Sequence, residues 1–376
     1  MRRYVIILLA AIVLCITSGN VLANEAEGSQ EQLIKAKVIE VVEGEPIDAS
    51  FGEISTQSVT LELLEKPYKG EQVVVANILT GQPYYDLEVA RGDRVLVQVS
   101  YPYGELHVDL VDFYRLDGII VITILFGVTL VLIGGFKGFK ALLSLIIMAV
   151  IVGLILLPLI LQGFSPILVT VGIASILSVM FILFVSGINI KSIAALGGTV
   201  GGLIMAGILA FAFGKLSSLT GLSSHEAQIL LMQESTIDYQ GLLFAGIIIG
   251  ALGAILDVGM SVASSMEQLR EENPDISLGV LIRRGINVGQ DMLGTMSNTL
   301  ILAYLGSSLP LLLLFQVNEV AWRKIINLDL IATEVIRALA GSIGLALAIP
   351  LTAVIGGFLE FYFDKQNKGG FSHEQG

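Results

Sequence analysis

The residues of this chain that could carry chemistry are oxygen-bearing side chains inside two otherwise apolar segments. In the first segment, small and polar residues share an arc of about 80° on a predicted helix: Gly246, Gly250, Gly253, Asp257, Ser261 and Ser264. In the second, a hydrophilic ridge repeats every three or four residues through Arg284, Asn287, Asp291, Thr295 and Asn298. Such oxygen ligands suit a proton or a hard cation, and no cysteine or histidine cluster accompanies them to hold a soft metal. We therefore expect an ion or small-solute site without a cofactor or a transition metal.

Asp257 is the acid that constrains the structure most. A carboxylate within a membrane span costs about 2.5 to 3.5 kcal/mol on the insertion scale, so it should face another helix or a water-filled cavity. Counting about 1.5 Å per residue places Asn298 at nearly the depth of Asp257, which predicts a hydrogen bond between them. Two interpretations stay open: the pair holds two helices together, or it belongs to an ion or proton relay.

The remaining reactive side chains do not indicate an enzyme. His107 and His225 lie outside the apolar segments and His373 lies near the C-terminus, and no P-loop, HExxH or GxSxG pattern occurs. Cys15 is the only cysteine, which excludes a disulfide within one chain. The chain is therefore predicted to be non-catalytic.

The elements that must position these side chains are membrane spans. The chain has 376 residues, of which 54% are hydrophobic and 14% charged, whereas about 25% are charged in ordinary soluble proteins. Seven segments reach the roughly 20 apolar residues that cross a bilayer: approximately 118–136, 139–161, 165–186, 192–213, 241–262, 291–315 and 336–359. We expect a polytopic α-helical membrane protein in which residues 117–363 form the bundle.

Glycine, proline and charged residues add local detail to this bundle. Small residues should let helices approach closely, above all at Gly197, Gly201, Gly246, Gly250 and Gly253. Pro158 and Pro310 are expected to break or end the second and sixth spans. Glu334 and Arg337, three residues apart, should form an ion pair.

The distribution of lysine and arginine predicts the orientation. If the N-terminal half is outside, the inside loops hold Lys137, Lys140, Lys191, Arg270, Arg283, Arg284, Lys365 and Lys368, and the outside loops hold only Lys215, Arg323 and Lys324. Because cytoplasmic loops are enriched in basic residues, the pattern predicts an extracytoplasmic N-terminal domain and a cytoplasmic tail at 364–376.

The N-terminal region differs from the bundle. Arg2 and Arg3 precede an apolar run, and Val21 and Ala23 fit a signal-peptidase site, so residues 1–23 are a cleaved signal or a retained anchor. Residues 24–115 carry 17 acidic and 7 basic side chains, a net charge of −10 within the −12 of the whole chain. An acidic domain repels nucleic acid, so no nucleic-acid partner is expected.

An alternating pattern predicts five or six short strands between residues 24 and 116. The clearest segments begin at Lys35 and cover Ser58–Leu64, Glu71–Asn77, Arg94–Val99 and Glu105–Tyr114. We expect a small closed barrel of the OB-like type, because closure would remove the exposed sheet edges. The stretch from Glu43 to Gln57 lacks periodicity and is expected to be a long loop, either solvated or ligand-binding.

Two motifs resemble the YibE/F family of bacterial membrane proteins. They are Gly250-Ala-Leu-Gly-Ala-Ile-Leu-Asp257-Val-Gly-Met-Ser-Val-Ala-Ser-Ser265 and Gly289-Gln-Asp291-Met-Leu-Gly-Thr-Met-Ser-Asn298-Thr-Leu-Ile-Leu-Ala-Tyr-Leu-Gly306. The resemblance implies a bacterial plasma-membrane protein with an outer domain followed by a helical bundle. It implies no biochemical activity.

The leading functional hypothesis is a secondary permease or ion-coupled transporter. Asp257 would be the coupling carboxylate, and its companions would be Asp291, Asn298, Thr295, Asn287 and Ser261. The alternative is a membrane scaffold or sensor whose outer domain binds a partner or ligand. Besides the lipid bilayer, a membrane-protein partner or a second copy of the chain is expected as a neighbour.

Overall fold

The structure is a computed structural model that describes residues 32–44, 47–49, 52–82, 84–101 and 106–370. The chain divides into two compact units, Met1–Thr129 and Leu130–Gly376. The predicted signal segment 1–23, with Cys15, lies outside the described residues, as do the last six positions of the predicted tail.

The described part of the first unit is built mainly from an antiparallel sheet of six strands. The strands are β1 (Gln32–Glu43), β2 (Ile47–Ala49), β3 (Gly52–Leu63), β4 (Gln72–Leu79), β5 (Arg94–Ser100) and β6 (His107–Phe113). Their order is β2-β3-β1-β5-β6, and β4 pairs with β3 along its other edge. Alternate apolar residues of the long strands form one buried core: Ile34, Ala36, Val38, Val59, Leu61, Leu63, Val95, Val97 and Val99.

The strands agree with the predicted alternation, but two other expectations change. The expected loop from Glu43 to Gln57 is wrong as a whole, because β2 pairs with the start of β3 and Ser55 to Gln57 pair with β4. The stretch contains one strand of three residues, β2, and only the first six residues of the 12-residue β3, and neither piece is long enough to display a period. Within the described residues no strand ladder joins β4 to β6, so the sheet is a half-barrel, and a closed OB-type barrel stays a prediction.

The helical part contains ten α-helices among the described residues. They are α1 (Leu116–Ile151), α2 (Leu157–Leu161), α3 (Pro166–Ser186), α4 (Ile190–Leu216), α5 (His225–Gln233), α6 (Tyr239–Glu272), α7 (Leu278–Ser307), α8 (Leu309–Val317), α9 (Trp322–Ile325) and α10 (Asp329–Gly370). A π-helical turn, Val152–Leu156, joins α1 to α2 just before Pro158.

Five of the described helical segments are long and apolar enough to cross a membrane. The number is six if α7 and α8, which meet at an angle of 57° beside Pro310, count as one broken span. The run Leu116–Leu161 counts once, although 46 residues would extend about 69 Å as a straight helix, more than twice the hydrocarbon thickness.

The backbone leaves helical geometry at Gly135, between the first two predicted spans. Next to this break, a Cβ on Gly138 would meet the carbonyl group of Leu130, eight positions earlier. Those positions would be about 12 Å apart in a straight helix, so the chain bends sharply there. The count of seven crossings nevertheless stays a prediction.

The core of the helical unit lies where α4, α6 and α10 pack together. Leu203, Ile248, Ile255 and Leu345 are fully buried there. Glycines bring α4 against α10: a Cβ on Gly202 would lie 2.8 Å from the carbonyl oxygen of Gly344, and the reverse distance from Gly344 to the Gly202 oxygen is also 2.8 Å. The backbones of these two helices are therefore in direct contact.

Candidate functional site

The polar stripe of α6 lies on its exposed face. The opposite face of the helix is buried in the bundle, whereas Gly246, Gly250, Gly253 and Asp257 are exposed and Ser261 is half-buried. Asp238 caps the start of α6, because its side chain accepts a hydrogen bond from the backbone N–H of Gly241 at 2.8 Å. Asn273 and Pro274 follow the end of the helix.

The polar ridge of α7 is also exposed. We use "α7 ridge" for Arg284, Asn287, Asp291, Thr295 and Asn298, all of which are exposed. The other side of α7 carries glycines that lie against the bundle: a Cβ on Gly285 would meet Met266 and Ala353, and one on Gly289 would meet Ile349. Close packing of these glycines fixes the rotation of α7 about its own axis.

Tyr304 marks the side of α7 that faces α6. Its hydroxyl oxygen would lie 2.8 Å from a Cβ on Gly250. Asn298 comes six residues before Tyr304, and at 100° per residue the two side chains point about 120° apart. The α7 ridge therefore occupies the side of the helix that neither α6 nor α10 covers.

The predicted hydrogen bond between Asp257 and Asn298 is not formed. The contacts of Gly250 with Tyr304 and of Met266 with Gly285 make α6 and α7 antiparallel neighbours. They put Asp257 at about the level of Thr295, roughly one turn from Asn298, whose depth was predicted to match. However, neither Asp257 nor Asn298 has a hydrogen bond or ion pair with a described residue, because the rotation of α7 turns its ridge outward. The two polar faces are thus at one depth but on separate surfaces.

The hydroxyl groups of the α7 ridge and its neighbour are bound to their own helix. Thr295 donates a hydrogen bond to the Met292 carbonyl at 2.9 Å, and Thr299 donates to the Thr295 carbonyl at 2.9 Å. Their oxygen lone pairs remain open to a ligand, since each hydroxyl has used only its proton.

A second polar cluster lies at the end of the bundle where α6 and α10 begin. The predicted ion pair is confirmed, with 3.2 Å between Arg337 Nη1 and Glu334 Oε1, and the guanidinium group lies 5.7 Å from the ring centre of Tyr304. The second carboxylate oxygen of Glu334 and Nε of Arg337 are buried and have no partner among the described residues. The sequence predicted the pair of Glu334 and Arg337 from their spacing, but it gave no sign that Tyr304 lies beside Arg337.

The predicted packing glycines fall into two groups. Gly197 and Gly201 lie on α4 and face side chains of α10. A Cβ added to Gly197 would lie 2.6 Å from Ile355 Cδ1, and a Cβ added to Gly201 would lie 2.6 Å from Leu351 Cδ1. Gly246 and Gly253 have no other residue within 4 Å of such a Cβ. Between the start of α6 and Asp257, these two positions therefore leave open space rather than a helix contact within this chain, whereas Gly250 between them meets Tyr304.

The oxygens of both faces can serve a proton or a hard cation only if another surface or water completes the site. Among the described residues no group of three or more His, Cys, Asp or Glu side chains could hold a metal ion. Each face supplies only part of a coordination shell, since an oxygen-bound cation takes about six ligands.

Apolar helices of this length, together with a small N-terminal β-domain, define a helical membrane protein. Residues 122–361 match the YibE/F-like protein family, and residues 30–113 match the YibE/F family N-terminal domain. The chain belongs to the YibE/F family, as the two sequence motifs indicated. No curated protein and no solved structure matches it.

Proposed function

We propose that this membrane protein is a secondary permease or ion-coupled transporter. In this proposal the α7 ridge lines the path of the ion or solute, and Asp257 is the carboxylate that takes up and releases the coupling proton. The observation that carries the proposal is the exposure of Asp257 and of the α7 ridge on the surface of an otherwise apolar bundle, with Asp257 at about the level of Thr295 in the ridge.

Energetics explain why these faces need water or protein beside them. Asp291 and Arg284 would each cost about 2.5 to 3.5 kcal/mol if they faced lipid at the centre of a span. From Arg284 to Asn298 the ridge extends about 21 Å along the helix, most of the hydrocarbon thickness. A polar surface of that length is stable in a membrane when it lines a hydrated path, and carboxylate, amide and hydroxyl groups are the usual lining of cation paths.

A second copy of the chain is the neighbour we propose for the α7 ridge. Copies inserted in one membrane share their orientation, so a two-fold axis along the membrane normal would bring like residues together at each level. Asp291, Thr295 and Asn298 would then form successive pairs of oxygen ligands. The site that is incomplete in one chain would be completed between two.

The cellular setting belongs to the same proposal. The excess of basic residues in one set of loops supports a multi-pass protein of the bacterial plasma membrane with the β-domain outside and the C-terminus in the cytoplasm. We expect the activity to need neither a cofactor nor a catalytic residue.

A flux assay tests the transport function. The purified full chain is reconstituted into liposomes that contain a pH-sensitive dye, and proton and radioactive sodium fluxes are measured under imposed gradients. Asp257→Asn keeps size and hydrogen bonding but removes the charge, so it should reduce proton-coupled flux to that of empty liposomes. Asp275→Asn makes the same change in the connection between α6 and α7 and should leave the flux unchanged. Absent wild-type flux, or equal flux in the two variants, would contradict the proposal.

Cross-linking tests the second copy separately. In a Cys15→Ser background, Asn298→Cys should form a disulfide-linked dimer in membranes, because the ridges of two copies would meet. Gly172→Cys, on the exposed face of α3, is the matched control and should stay monomeric. If both variants cross-link equally, the ridge is not a specific interface.

A membrane scaffold or sensor is the second candidate. An open polar cleft in the β-domain favours it, since such a cleft offers a ligand site outside the bundle. Under this candidate the full chain shows no flux, and deleting residues 33–110 should abolish sensing or partner capture. Under the transport proposal the same deletion need not stop flux.

A further inference from the structure

Tyr304 interrupts the row of small residues that leads along α6 to Asp257. Its hydroxyl oxygen lies 2.8 Å and its ring carbon Cζ lies 3.9 Å from a Cβ built on Gly250. About one turn to either side, Gly246 and Gly253 have no other described residue within 4 Å of such a Cβ. Water or an ion that moves along this face of α6 from Gly246 to Asp257 therefore meets the side chain of Tyr304 on the way.

Arg337 and Glu334 hold this ring in place from α10. The guanidinium carbon of Arg337 lies 5.7 Å from the centre of the Tyr304 ring, which is within the range of a cation–π attraction. Glu334 pairs with Arg337 across 3.2 Å, and the two side chains are mostly buried, with 20% and 29% of their surfaces exposed. We use "outer gate" for Tyr304, Arg337 and Glu334. Side chains from two helices thus keep one aromatic ring over the polar stripe of α6.

Two atoms of the outer gate lack partners in this closed arrangement. Glu334 Oε2 and Arg337 Nε are buried and have no hydrogen bond with a described residue. A buried polar group without a hydrogen bond destabilises the state that contains it, and the effect is larger for charged groups. Movement of Tyr304 away from Gly250 would let water reach this pair and supply the missing hydrogen bonds. The closed gate is therefore held by its contacts, but opening offsets part of their loss.

We infer that the outer gate controls the access of outside water and protons to Asp257. The inference rests on the proposed transport function, in which Asp257 takes up and releases the coupling proton. In the proposed orientation Asp257 lies on the inner side of Tyr304, about 10.5 Å along the helix axis from Gly250. When the ring moves away, the open space over Gly253 connects Asp257 to the outside. Arg337 is a positioning residue, because it acts only through the ring.

Cysteine accessibility in the full chain tests the gate. In the Cys15→Ser background, Gly253→Cys places a thiol on the inner side of Tyr304. A charged, impermeant methanethiosulfonate reagent is added to intact cells and reacts with the thiolate form, which requires water. Tyr304→Ala should speed this reaction at least about tenfold, which corresponds to about 1.4 kcal/mol. Tyr304→Phe keeps the ring and should keep the slow rate; a rate as fast as that of Tyr304→Ala would contradict a gate held by its ring.

Two control positions separate the gate from a general loosening of the bundle. Gly246→Cys lies on the outer side of Tyr304 and should react quickly with or without Tyr304→Ala. Gly172→Cys lies on the exposed face of α3 and should react slowly in both backgrounds. If Tyr304→Ala changes the rate at either control position as much as at Gly253→Cys, the bundle has loosened as a whole and the gate is overturned.

Arg337→Gln tests the positioning role. It should speed the reaction of Gly253→Cys when Tyr304 is present and add nothing in the Tyr304→Ala chain, because the two changes would act through one contact. Arg323→Gln removes the same charge on α9, outside the gate, and should have no effect. Equal acceleration by Arg337→Gln with and without the ring would refute the positioning role.

The gate and the transport function can fail separately. An unchanged rate for Gly253→Cys in the Tyr304→Ala chain, with wild-type flux present, overturns the gate and leaves the transport proposal intact. Absent wild-type flux overturns both. A faster reaction that the two control positions do not share, together with wild-type flux, supports the gate.

Discussion

Gly202→Val is the most direct test of the helix packing that determines where the polar faces lie. A Cβ at Gly202 would be 2.8 Å from the Gly344 carbonyl oxygen, 2.9 Å from Ala348 Cβ and 3.0 Å from Ile255 Cγ2. The first of these neighbours is backbone, so α4 and α10 would have to move apart to admit a larger residue. Overpacking costs about 1 to 3 kcal/mol, and the two further methyl groups of valine favour the upper value.

A matched glycine gives the opposite expectation. Gly172 lies on α3 with no other residue within 4 Å of a built Cβ, so Gly172→Val should gain about 0.4 kcal/mol of helix propensity without a clash. The same gain reduces the net loss for Gly202→Val to about 2.5 kcal/mol. The two variants should therefore differ by about 3 kcal/mol, or roughly a hundredfold in the unfolding equilibrium.

Unfolding in mixed micelles measures this difference. Each purified variant is titrated with sodium dodecyl sulfate, and the loss of helix is followed by circular dichroism. Gly202→Val should unfold at a clearly lower detergent fraction than the wild type, and Gly172→Val at an equal or higher one. Equal midpoints for the two variants would mean that α4 and α10 do not approach as closely as the structure has them.

Three further outcomes are expected. In the Cys15→Ser background, Lys69→Cys should react with an impermeant maleimide in intact cells and Asp275→Cys only after lysis; the reverse would contradict the proposed orientation. Glu334→Gln should cost about 2 kcal/mol in the same unfolding assay, less than the 3 to 5 kcal/mol of a fully buried pair, and Arg337→Gln should add little to it. The backbone N–H of Thr80 contributes most, and its hydroxyl less, to holding the pKa of Asp86 below its usual 3.8, so carboxyl-carbon NMR should give a midpoint below that value. Thr80→Ala keeps the backbone donor and removes only the hydroxyl, so it should raise the midpoint part of the way towards 3.8. Any stability from this ionised carboxylate is present above about pH 3.8 and is lost as the pH falls through the lower folded pKa.

The strands and most helices were predictable because their patterns are local. Alternate apolar residues such as Val95, Val97 and Val99 indicate a strand with one buried face, and long apolar runs indicate spans by composition alone. Barrel closure was not predictable in this way. It depends on whether β4 and β6 meet, which no local pattern of either strand encodes.

The rotation of α7 shows why the candidate site was only partly predictable. The spacing of the ridge residues identified a polar face on α7, and counting residues placed Asp257 at nearly the depth of Asn298. Neither observation determines the rotation of α7 about its own axis. Gly285 and Gly289, four residues apart on the opposite side, decide that direction by packing against Met266 and Ile349. Such a small-residue pair was as visible in the sequence as the ridge itself, and reading the two together would have turned Asn298 away from Asp257.

With this packing, a single chain cannot shield the α7 ridge from lipid without a large cost in free energy. Arg284 and Asp291 together would cost roughly 5 to 7 kcal/mol against lipid, less whatever Arg284 recovers by reaching toward the interface. Turning α7 inward would bury the ridge, but it would withdraw Gly285 and Gly289 from close contacts, in which an added Cβ would lie 2.5 Å from Met266 Sδ and 2.3 Å from Ile349 Cγ2. Because both arrangements are unfavourable for a single chain, the favourable one places water and a second polar surface against the ridge, and that is also the arrangement that a path for ions requires.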